Sequence, residues 1–363
     1  MDLLLGAAAP VGVAIDHLPL HQTGPSEAAR LELEPLALRL RHRFAIARGF
    51  EDVSHTLIAR LIARGIEALG EVTPSSRYDE SLELIEKQLS AVVLDDAKLL
   101  DVDATLSQLP GTQRGAMCAL DLALHDFAGK LLDVPAYTLF GLDPRDAKPT
   151  SFTIGIADID ETIAKVREAA HMPILKVKLG AGREIETLEA IRSVYNGTIR
   201  IDANEGWTPE EAVACLRELE RFGIEFCEQP VPAGHPEHLR YVRERSPVPI
   251  YTDEDSVSED DVPRLAGCVD GINVKLVKCG GMRAAARMIR AARERGMKVM
   301  IGCMIESSVL STAAAHLTPL ADHADIDGPL LVTDDPFTGV TYDGAQLRLP
   351  DAPGLGVRAR AAA

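Results

Sequence analysis

Three acidic residues follow three successive apolar segments, and they are the residues best suited to chemistry. Asp202 ends the first segment, Glu228 follows 26 residues later, and Asp253 follows after another 25. Carboxylates that converge on one point repel each other strongly unless a cation lies between them. All-oxygen ligands favour Mg²⁺, with Mn²⁺ as second choice. The three acids therefore predict a metal site, although each could instead cap the helix that follows it.

Three lysines flank these acids in the order of the segments. Lys176 and Lys178 lie two residues apart, so a strand would point both side chains the same way, and Lys275 follows Asp253 by 22 residues. Two ammonium groups that close should lower each other's pKa. Lys178 and Lys275, on opposite sides of a bound carbon, could remove a proton from one face and return one to the other. That is the geometry for racemisation or epimerisation. For Lys176, an ammonium reaching solvent at the rim stays an open alternative.

Further polar residues end the later segments. Cys303 ends one segment, and Asp325 and Asp327 follow the next, just before Gly328 and Pro329. Two carboxylates two residues apart on one side could receive an ammonium group. The alternative is an ordinary turn before the Gly-Pro pair.

The elements that position these residues repeat along the chain. Polar residues end seven apolar segments at spacings of 22 to 28 residues, and Ser151–Ile156 supplies an eighth segment. The intervening stretches look helical; Thr208 suits an N-cap and Pro209 a first helical position. Eight strand–helix units close a barrel whose active site lies at the carboxyl ends of the strands. The fold class is therefore α/β, a modified TIM (β/α) barrel.

A separate α+β domain precedes the barrel. Alternation at 31–41 predicts a strand, followed by a loop at 44–52, and strands at 55–63 and 68–72 are joined by a turn at 64–67. A second loop spans 73–80, and helices then dominate up to a boundary near 144–149. We expect an N-terminal extension at 1–30, a capping domain at 31–148, a barrel at 149–340, and a segment at 341–363 that returns to the capping domain.

Composition limits the possible partners. The 363 residues carry a net charge of −17, which argues against nucleic acid or an anionic membrane surface as a partner. The six cysteines form no CxxC pair, which suggests reduced thiols and a cytoplasmic protein. The N-terminus lacks a basic region and is expected to be an extension rather than a signal peptide. No apolar run reaches the length of about 18 residues that a membrane span requires.

Taken together, the motifs resemble those of the enolase superfamily, in the muconate-lactonising-enzyme subgroup. The resemblance covers nearly the whole chain after residue 30, and its motifs are Lys176-Val177-Lys178, Asp202-Ala203-Asn204, Glu228-Gln229-Pro230, Thr252-Asp253-Glu254, Asn273-Val274-Lys275-Leu276 and Ile301-Gly302-Cys303-Met304-Ile305-Glu306-Ser307. It implies that Asp202, Glu228 and Asp253 bind Mg²⁺ and that Lys178 and Lys275 are the acid/base pair. It also implies an enolase-like capping domain over the barrel and supporting roles for Asn204, Glu254 and Glu306.

Within this subgroup the chain most resembles the dipeptide epimerases of the L-Ala-D/L-Glu type. Asp325-Ile326-Asp327 matches the acid pair that binds the free ammonium of the dipeptide, and 44–49 matches a loop whose Arg48 would pair with the Glu side chain. The stretch 71–81 resembles the second capping loop. Asp255 departs from the motif, which usually continues from Asp-Glu to a small residue. The substrate-binding residues implied are Lys176, Arg48, Asp325, Asp327, Cys303 and Phe44.

The resemblance implies Mg²⁺-dependent epimerisation of the C-terminal residue of a dipeptide through an enediolate, since enolase-superfamily sites combine a Lys or His base with Mg²⁺. The alternatives are an epimerase for another dipeptide, an N-acylamino acid racemase, an o-succinylbenzoate synthase or a cycloisomerase. Those last three act on substrates without a free ammonium, so Asp325 and Asp327 discriminate against them. A non-catalytic metal-dependent binding barrel is the alternative from another class. Many barrels of this family form oligomers, so a homo-oligomer is possible.

Overall fold

The structure is a computed structural model that describes residues 28–111 and 113–361. The expected N-terminal extension at 1–30 therefore lies outside the described residues, apart from its last three. No helix within the described ranges combines the length and apolar character that a membrane span requires.

The first part of the described chain is a three-stranded antiparallel sheet covered by helices, which we call the cap. Its strands are β1 (Arg30–Ile46), β2 (Gly49–Ala63) and β3 (Ile66–Val72), and its helices are α1 (Leu82–Ser90), α2 (Val102–Leu106), α3 (Arg114–Leu132) and α4 (Ala136–Leu139). Gly70 in β3 lets α3 approach closely, because a Cβ atom there would lie 1.9 Å from the Ala119 carbonyl oxygen. The predicted α+β architecture is confirmed.

The expected loop at 44–52 is wrong, because this segment is the end of a long hairpin. β1 and β2 stay paired up to Ile46 and Gly49, with a shift in register between Arg39 and Phe44. The shift interrupts the alternation of apolar and polar residues, which is why the sequence pattern hides the strand. Phe44 therefore lies on a two-stranded extension of the sheet, beyond the part in which β3 also pairs.

The barrel contains eight parallel strands in sequential order. They are β4 (Phe152–Ile154), β5 (Ile174–Lys178), β6 (Thr198–Asp202), β7 (Ile224–Glu228), β8 (Ile250–Thr252), β9 (Gly271–Lys275), β10 (Lys298–Gly302) and β11 (His323–Asp325). A parallel bridge between Thr150 and Ala324 joins the last strand to the first. The expected barrel is confirmed.

Helices connect the strands and cover the outside of the barrel. They are α5 (Ile159–Glu168), α6 (Glu184–Arg192), α7 (Pro209–Leu219), α8 (Pro236–Arg243), α9 (Val262–Leu265), α10 (Leu276–Cys279), α11 (Met282–Glu294), α12 (Ser308–Leu317) and α13 (Gly328–Leu331). Short 3-10 helices span Ser76–Tyr78, Pro144–Asp146, Glu220–Phe222, Glu259–Asp261 and Thr318–Leu320. The Thr208 side chain caps α7 in a reciprocal pair with Glu211, as the sequence predicts.

The register of the barrel brings the polar strand ends into one layer. Lys178 pairs with Asp202 across β5 and β6, and Asp202 pairs with Glu228 across β6 and β7. On the other side of the ring, Gly302 in β10 pairs with both Lys275 and Asp325. Parallel strands in register place their last residues at the same height, so these side chains share one end of the barrel.

The chain after the barrel forms two small antiparallel ladders, β12 (Phe337–Thr338) with β15 (Arg358–Ala359) and β13 (Thr341–Asp343) with β14 (Gln346–Arg348). It contacts the cap, because the Leu355 backbone N–H donates to Asp126 Oδ1 on α3 at 2.7 Å. The domain boundaries proposed from the sequence stay a prediction.

Candidate active site

A cavity of about 500 Å³ lies between the cap and the carboxyl ends of the barrel strands. The tip of the β1–β2 hairpin lines it from one side, with Phe44 and Arg48, and the second cap loop adds Tyr78. The barrel contributes polar residues singled out in the sequence, namely Lys176, Lys178, Asn204, Asp253, Glu254, Lys275, Cys303, Asp325 and Asp327. The structure thus brings nearly all the expected site residues to one place.

Lys176 lies at the centre of the buried acids. Its ammonium nitrogen is 2.7 Å from Glu228 Oε2, 2.7 Å from Asp325 Oδ2 and 3.2 Å from Asp202 Oδ2. The residue is only 2% exposed. The alternative of a lysine that reaches solvent at the rim is therefore wrong for Lys176.

Lys178 and Lys275 lie on opposite sides of the barrel, because three strands separate β5 from β9 in either direction around the ring. Lys178 Nζ is 2.7 Å from Asp202 Oδ2, and Lys275 Nζ is 2.9 Å from Asp253 Oδ2. The ring of Phe44 lies beside Lys178, with 5.9 Å between Nζ and the ring centroid. Two amines thus face one cavity from two directions, as a transfer of protons at both faces of a carbon requires.

The carboxylates around Lys176 change its pKa in the direction opposite to the one expected. We expected Lys176 and Lys178 to lower each other's pKa. Burial does disfavour the ammonium of Lys176, but the charges of Asp325, Glu228 and Asp202 outweigh burial and raise its pKa well above the ordinary value. That expectation is wrong for Lys176, since spacing along a strand shows which lysines are neighbours but not which acids surround them.

In each of the three acids, one carboxylate oxygen is held by a residue other than Lys178 and Lys275. Asp202 Oδ1 accepts the Asn204 backbone N–H at 2.9 Å, and Glu228 Oε1 accepts Asn273 Nδ2 at 2.7 Å. Asp253 Oδ1 is paired with the ammonium of Lys278. The second oxygens, Asp202 Oδ2, Glu228 Oε2 and Asp253 Oδ2, face Lys176, Lys178 and Lys275. Three buried carboxylate oxygens on three adjacent strands form a donor set that a hard divalent cation prefers.

Lys278 is a residue of the site that sequence reasoning missed. Its side chain is fully buried, and its ammonium donates to the Asp253 carbonyl at 2.6 Å and the Ser256 carbonyl at 3.1 Å, besides pairing with the Asp253 carboxylate. The signal was a lysine between the apolar residues of Leu276–Cys279, where an unpaired charge would be unfavourable. Lys278 holds Asp253 in place from the side away from Lys275.

Asp325 and Asp327 both lie at the cavity wall, and Cys303 lies beside them. Asp325 pairs with Lys176, and Asp327 Oδ2 accepts the Thr153 backbone N–H at 2.6 Å. Cys303 Sγ is 3.7 Å from Asp327 Oδ1. Burial and the charge of Asp325 raise the pKa of Asp327 to about 6. The pair is therefore a buried acidic patch and not only a turn.

Arg48 reaches the cavity, but carboxylates of the barrel already engage its guanidinium. Nη1 is 2.8 Å from Glu205 Oε2 and donates to the Asn204 carbonyl at 2.8 Å, and Nη2 is 2.8 Å from Glu254 Oε1. Arg77 of the second cap loop also pairs with Glu205, at 2.8 Å. Glu205 was missed in the sequence, where its signal was an acid directly after Asn204. The tip of the hairpin and the second cap loop thus attach to one barrel carboxylate.

Glu306 and Asp255 serve the loops around the site. Glu306 Oε2 accepts the Met304 backbone N–H at 3.0 Å, which orders the loop after β10. Asp255 accepts Gln229 Nε2 at 3.0 Å and the Gly234 backbone N–H at 2.9 Å. The departure from the family motif at Asp255 is therefore a buried link between two loops, and it does not line the cavity.

Comparisons with known proteins agree with this geometry. Residues 158–363 match the family model described as enolase C-terminal domain-like. The chain is 36% identical over 362 residues to the L-Ala-D/L-Glu epimerase of Bacteroides thetaiotaomicron, covering 98% of this chain and 93% of that protein. It is 39% identical over 352 residues to the L-Ala-D/L-amino acid epimerase of Pedosphaera parvula, covering 92% and 99%.

Solved structures give the same picture. The dipeptide epimerase of Cytophaga hutchinsonii, complexed with Mg and D-Ala-L-Val, superposes with a TM-score of 0.86 at 28% identity, covering 92% of this chain and 96% of that one. The substrate-liganded L-Ala-D/L-Glu epimerase of Bacillus subtilis also reaches 0.86 at 28% identity, covering 93% and 100%. The chain therefore belongs to the dipeptide epimerase family of the enolase superfamily and is an isomerase.

Proposed function

We propose that the protein epimerises a dipeptide at the α-carbon of its C-terminal residue, with L-Ala-L-Glu and L-Ala-D-Glu as the interconverted pair. The observation that carries this proposal is the placement of Lys178 and Lys275 on opposite strands of one cavity, with the Asp325 and Asp327 carboxylates in the same cavity. An amine on each side suits exchange of one proton at a carbon. Carboxylates at the wall suit a substrate with a free ammonium.

Asp202, Glu228 and Asp253 would hold Mg²⁺, or Mn²⁺ as second choice. The fit rests on the chemistry of the donor set, since these are three buried carboxylates without histidine or cysteine among them. Bound there, the cation would accept the substrate carboxylate and stabilise the negative charge that develops on it when the α-proton leaves. Neighbours on the barrel, Asn273 and Lys278, fix the orientation of Glu228 and Asp253.

Lys178 and Lys275 would exchange the protons. In one direction, neutral Lys178 accepts the α-proton and becomes an ammonium, while the ammonium of Lys275 delivers its proton to the opposite face and becomes neutral. In the reverse direction the two lysines exchange roles. The hairpin tip and the second cap loop cover the cavity, which limits the access of water to the reacting carbon.

Arg48 is the residue expected to determine which second residue of the dipeptide is accepted. Glu205 and Glu254 already hold its guanidinium at 2.8 Å and offset its positive charge, which weakens its attraction for a glutamate side chain of the substrate. This observation favours a second candidate function, an L-Ala-dipeptide epimerase that accepts a range of second residues. The relative from Pedosphaera parvula has the broader name, L-Ala-D/L-amino acid epimerase.

The test is ¹H NMR of the protein with Mg²⁺ and L-Ala-L-Glu in D₂O. Loss of the Glu α-proton signal together with new L-Ala-D-Glu signals is the expected result, and protein treated with EDTA should show neither until Mg²⁺ is restored. Exchange of dipeptides with apolar or basic second residues at comparable rates would select the broader function. An absence of exchange with every dipeptide would refute both and point to N-acyl amino acid substrates.

A further inference from the structure

The two acids at the cavity wall differ in what already occupies their oxygens. Asp325 Oδ1 accepts the Ser151 hydroxyl at 2.6 Å, and Asp325 Oδ2 accepts the ammonium of Lys176 at 2.7 Å. Asp325 is 4% exposed. Both oxygens of Asp325 are therefore committed to neighbours within the barrel.

Asp327 has hydrogen-bond donors but, among the described residues, no ammonium partner. Its Oδ2 accepts the Thr153 backbone N–H at 2.6 Å, and the Thr153 side chain also hydrogen-bonds the carboxylate. The Cys303 thiol lies 3.7 Å from Oδ1, and a thiol is a weak donor. A buried carboxylate that lacks a cation is unfavourable, and an ammonium group is the partner that would satisfy it best.

The pKa values of Asp325 and Asp327 differ in the same sense as their contacts. Burial disfavours ionised Asp325, but Lys176 outweighs burial and lowers its pKa, whereas burial and Asp325 raise the pKa of Asp327 to about 6. Asp325 already has a cation partner in Lys176. Within the described ranges, Asp327 has no cation of its own.

We propose that the two acids have separate tasks, with Asp327 receiving the ammonium of the dipeptide and Asp325 acting as a positioning residue for Lys176. This inference rests on the proposed function. It deepens that function, because it divides between two residues a task that the motif assigns to the pair.

The position of Lys176 matters because its ammonium lies between Asp325 and two of the proposed metal ligands, Glu228 and Asp202. The nitrogen that Asp325 holds is also 2.7 Å from Glu228 Oε2 and 3.2 Å from Asp202 Oδ2. Without Asp325, the ammonium would lose the partner that draws it away from these two proposed metal ligands. The chemistry at the α-carbon should then suffer for any substrate, whether or not it carries an ammonium.

The test combines two variants with two substrates that differ only in the ammonium, L-Ala-L-Glu and N-propionyl-L-glutamate. The rate of α-proton exchange in D₂O with Mg²⁺ gives kcat and KM for each combination. For Asp327→Asn we expect kcat/KM for L-Ala-L-Glu to fall about 100-fold, mainly through KM, which is within the range for removing one partner of a buried charge pair. The value for N-propionyl-L-glutamate should change by less than about threefold, because it has no ammonium to lose.

Asp325→Asn should behave differently. We expect kcat to fall by about the same factor, roughly 30-fold, for both substrates, with little change in KM, because the displaced ammonium of Lys176 affects the chemistry rather than the binding of the ammonium. If Asp325→Asn does not fold, Ser151→Ala serves instead. It removes the hydroxyl partner of Asp325 Oδ1, together with a long contact of 3.5 Å from Arg200 Nη1, and should give a smaller loss that is again equal for both substrates.

Asp334→Asn is the matched control, since the Asp334 carboxylate pairs with Arg39 at 2.8 Å and does not line the cavity. It should leave kcat and KM unchanged for both substrates. Selective loss of the dipeptide in both Asp325→Asn and Asp327→Asn would overturn the division of tasks, as would an equal loss of both substrates in Asp327→Asn. Failure of the proposed function is distinguishable, because the unaltered protein would then prefer N-propionyl-L-glutamate or exchange neither substrate.

Discussion

Buried acids occur in two regions of the molecule, and they are satisfied in different ways. At the seam between the cap and the barrel, Glu71, Asp121 and Asp126 accept hydrogen bonds mainly from peptide N–H groups, although Asp126 also pairs with Lys130. The donors are Ser307 and Leu310 to Glu71, Met282 to Asp121, and Leu69 and Leu355 to Asp126, at 2.6 to 2.9 Å. At the mouth of the barrel, the ammonium groups of lysines face Asp202 and Asp253.

The two kinds of partner have opposite effects on the acids. Burial raises the pKa of Glu71, because hydrogen bonds from Ser307 and Leu310 offset only part of the loss of hydration. Burial acts on Asp202 too, but the charges of Lys178 and Lys176 outweigh it and hold its pKa at about 2. Peptide donors cannot leave without unfolding, whereas a lysine side chain can rotate away. The seam acids therefore join the two parts, and the mouth acids can change partners.

Removing a proposed base should have the largest effect at the mouth. Lys178→Ala or Lys275→Ala should each lower the rate of epimerisation by about 10²- to 10⁴-fold, which is the usual contribution of general acid–base catalysis. NMR in D₂O measures the rate, and thermal unfolding checks the fold. Lys165→Ala is the control, because Lys165 is a buried lysine paired with Glu161 on α5, outside the cavity. Epimerisation at the normal rate in either variant would contradict the proposed roles.

Lys278→Met tests whether the mouth acids depend on fixed charges. The substitution leaves the buried Asp253 with one lysine in place of two, and breaking such a pair costs about 3–5 kcal/mol. Urea unfolding without metal should show this loss, and Mg²⁺ should restore part of it if Asp253 binds the metal. Lys130→Met, which removes a partly exposed partner of Asp126, should cost less. A stability unchanged by Lys278→Met would show that Lys278 does not hold Asp253.

Glu71→Gln should affect the seam without affecting the chemistry. The amide cannot accept all four hydrogen bonds that Glu71 receives, so two donors lose their partner and the free energy of unfolding should fall by about 1–3 kcal/mol. The kcat of the folded fraction should stay close to that of the unaltered protein. A variant with normal stability and impaired kcat would reverse the distinction between seam and mouth.

The smallest effect at neutral pH is expected from His316 on α12, in the seam near the C-terminal segment. Burial lowers its pKa to about 4, and its Nε2–H donates to the Leu355 carbonyl at 3.1 Å. The unfolded chain takes up a proton near the ordinary pKa of 6.5, before the folded protein does, so stability falls as pH drops from about 6.5 towards 4. Between about pH 7 and pH 5 the loss is about 2 kcal/mol. His316→Gln should flatten this slope, and an unchanged slope would exclude His316 as its source.

The barrel and the mouth were predictable from the sequence because one geometric rule governs both. Parallel strands in sequential order bring their last residues together, so the spacing of Lys178, Asp202 and Glu228 was enough to place them. Lys278 was not predictable, because its partners are carbonyl groups that converge only in the folded chain. The pairing of Arg48 with Glu205 joins positions 157 residues apart, which no local pattern encodes.

The hairpin of β1 and β2 has a consequence for how this protein could change over time. Its base is anchored in the cap, where Leu57 and Leu61 are buried, while its tip lines the cavity with Arg48. The proposed bases and metal ligands belong to the barrel. Substitutions at the tip would therefore alter which dipeptides are accepted and leave the proton chemistry intact. New substrate preferences would then be accessible through a few changes at one turn, without rebuilding the catalytic centre.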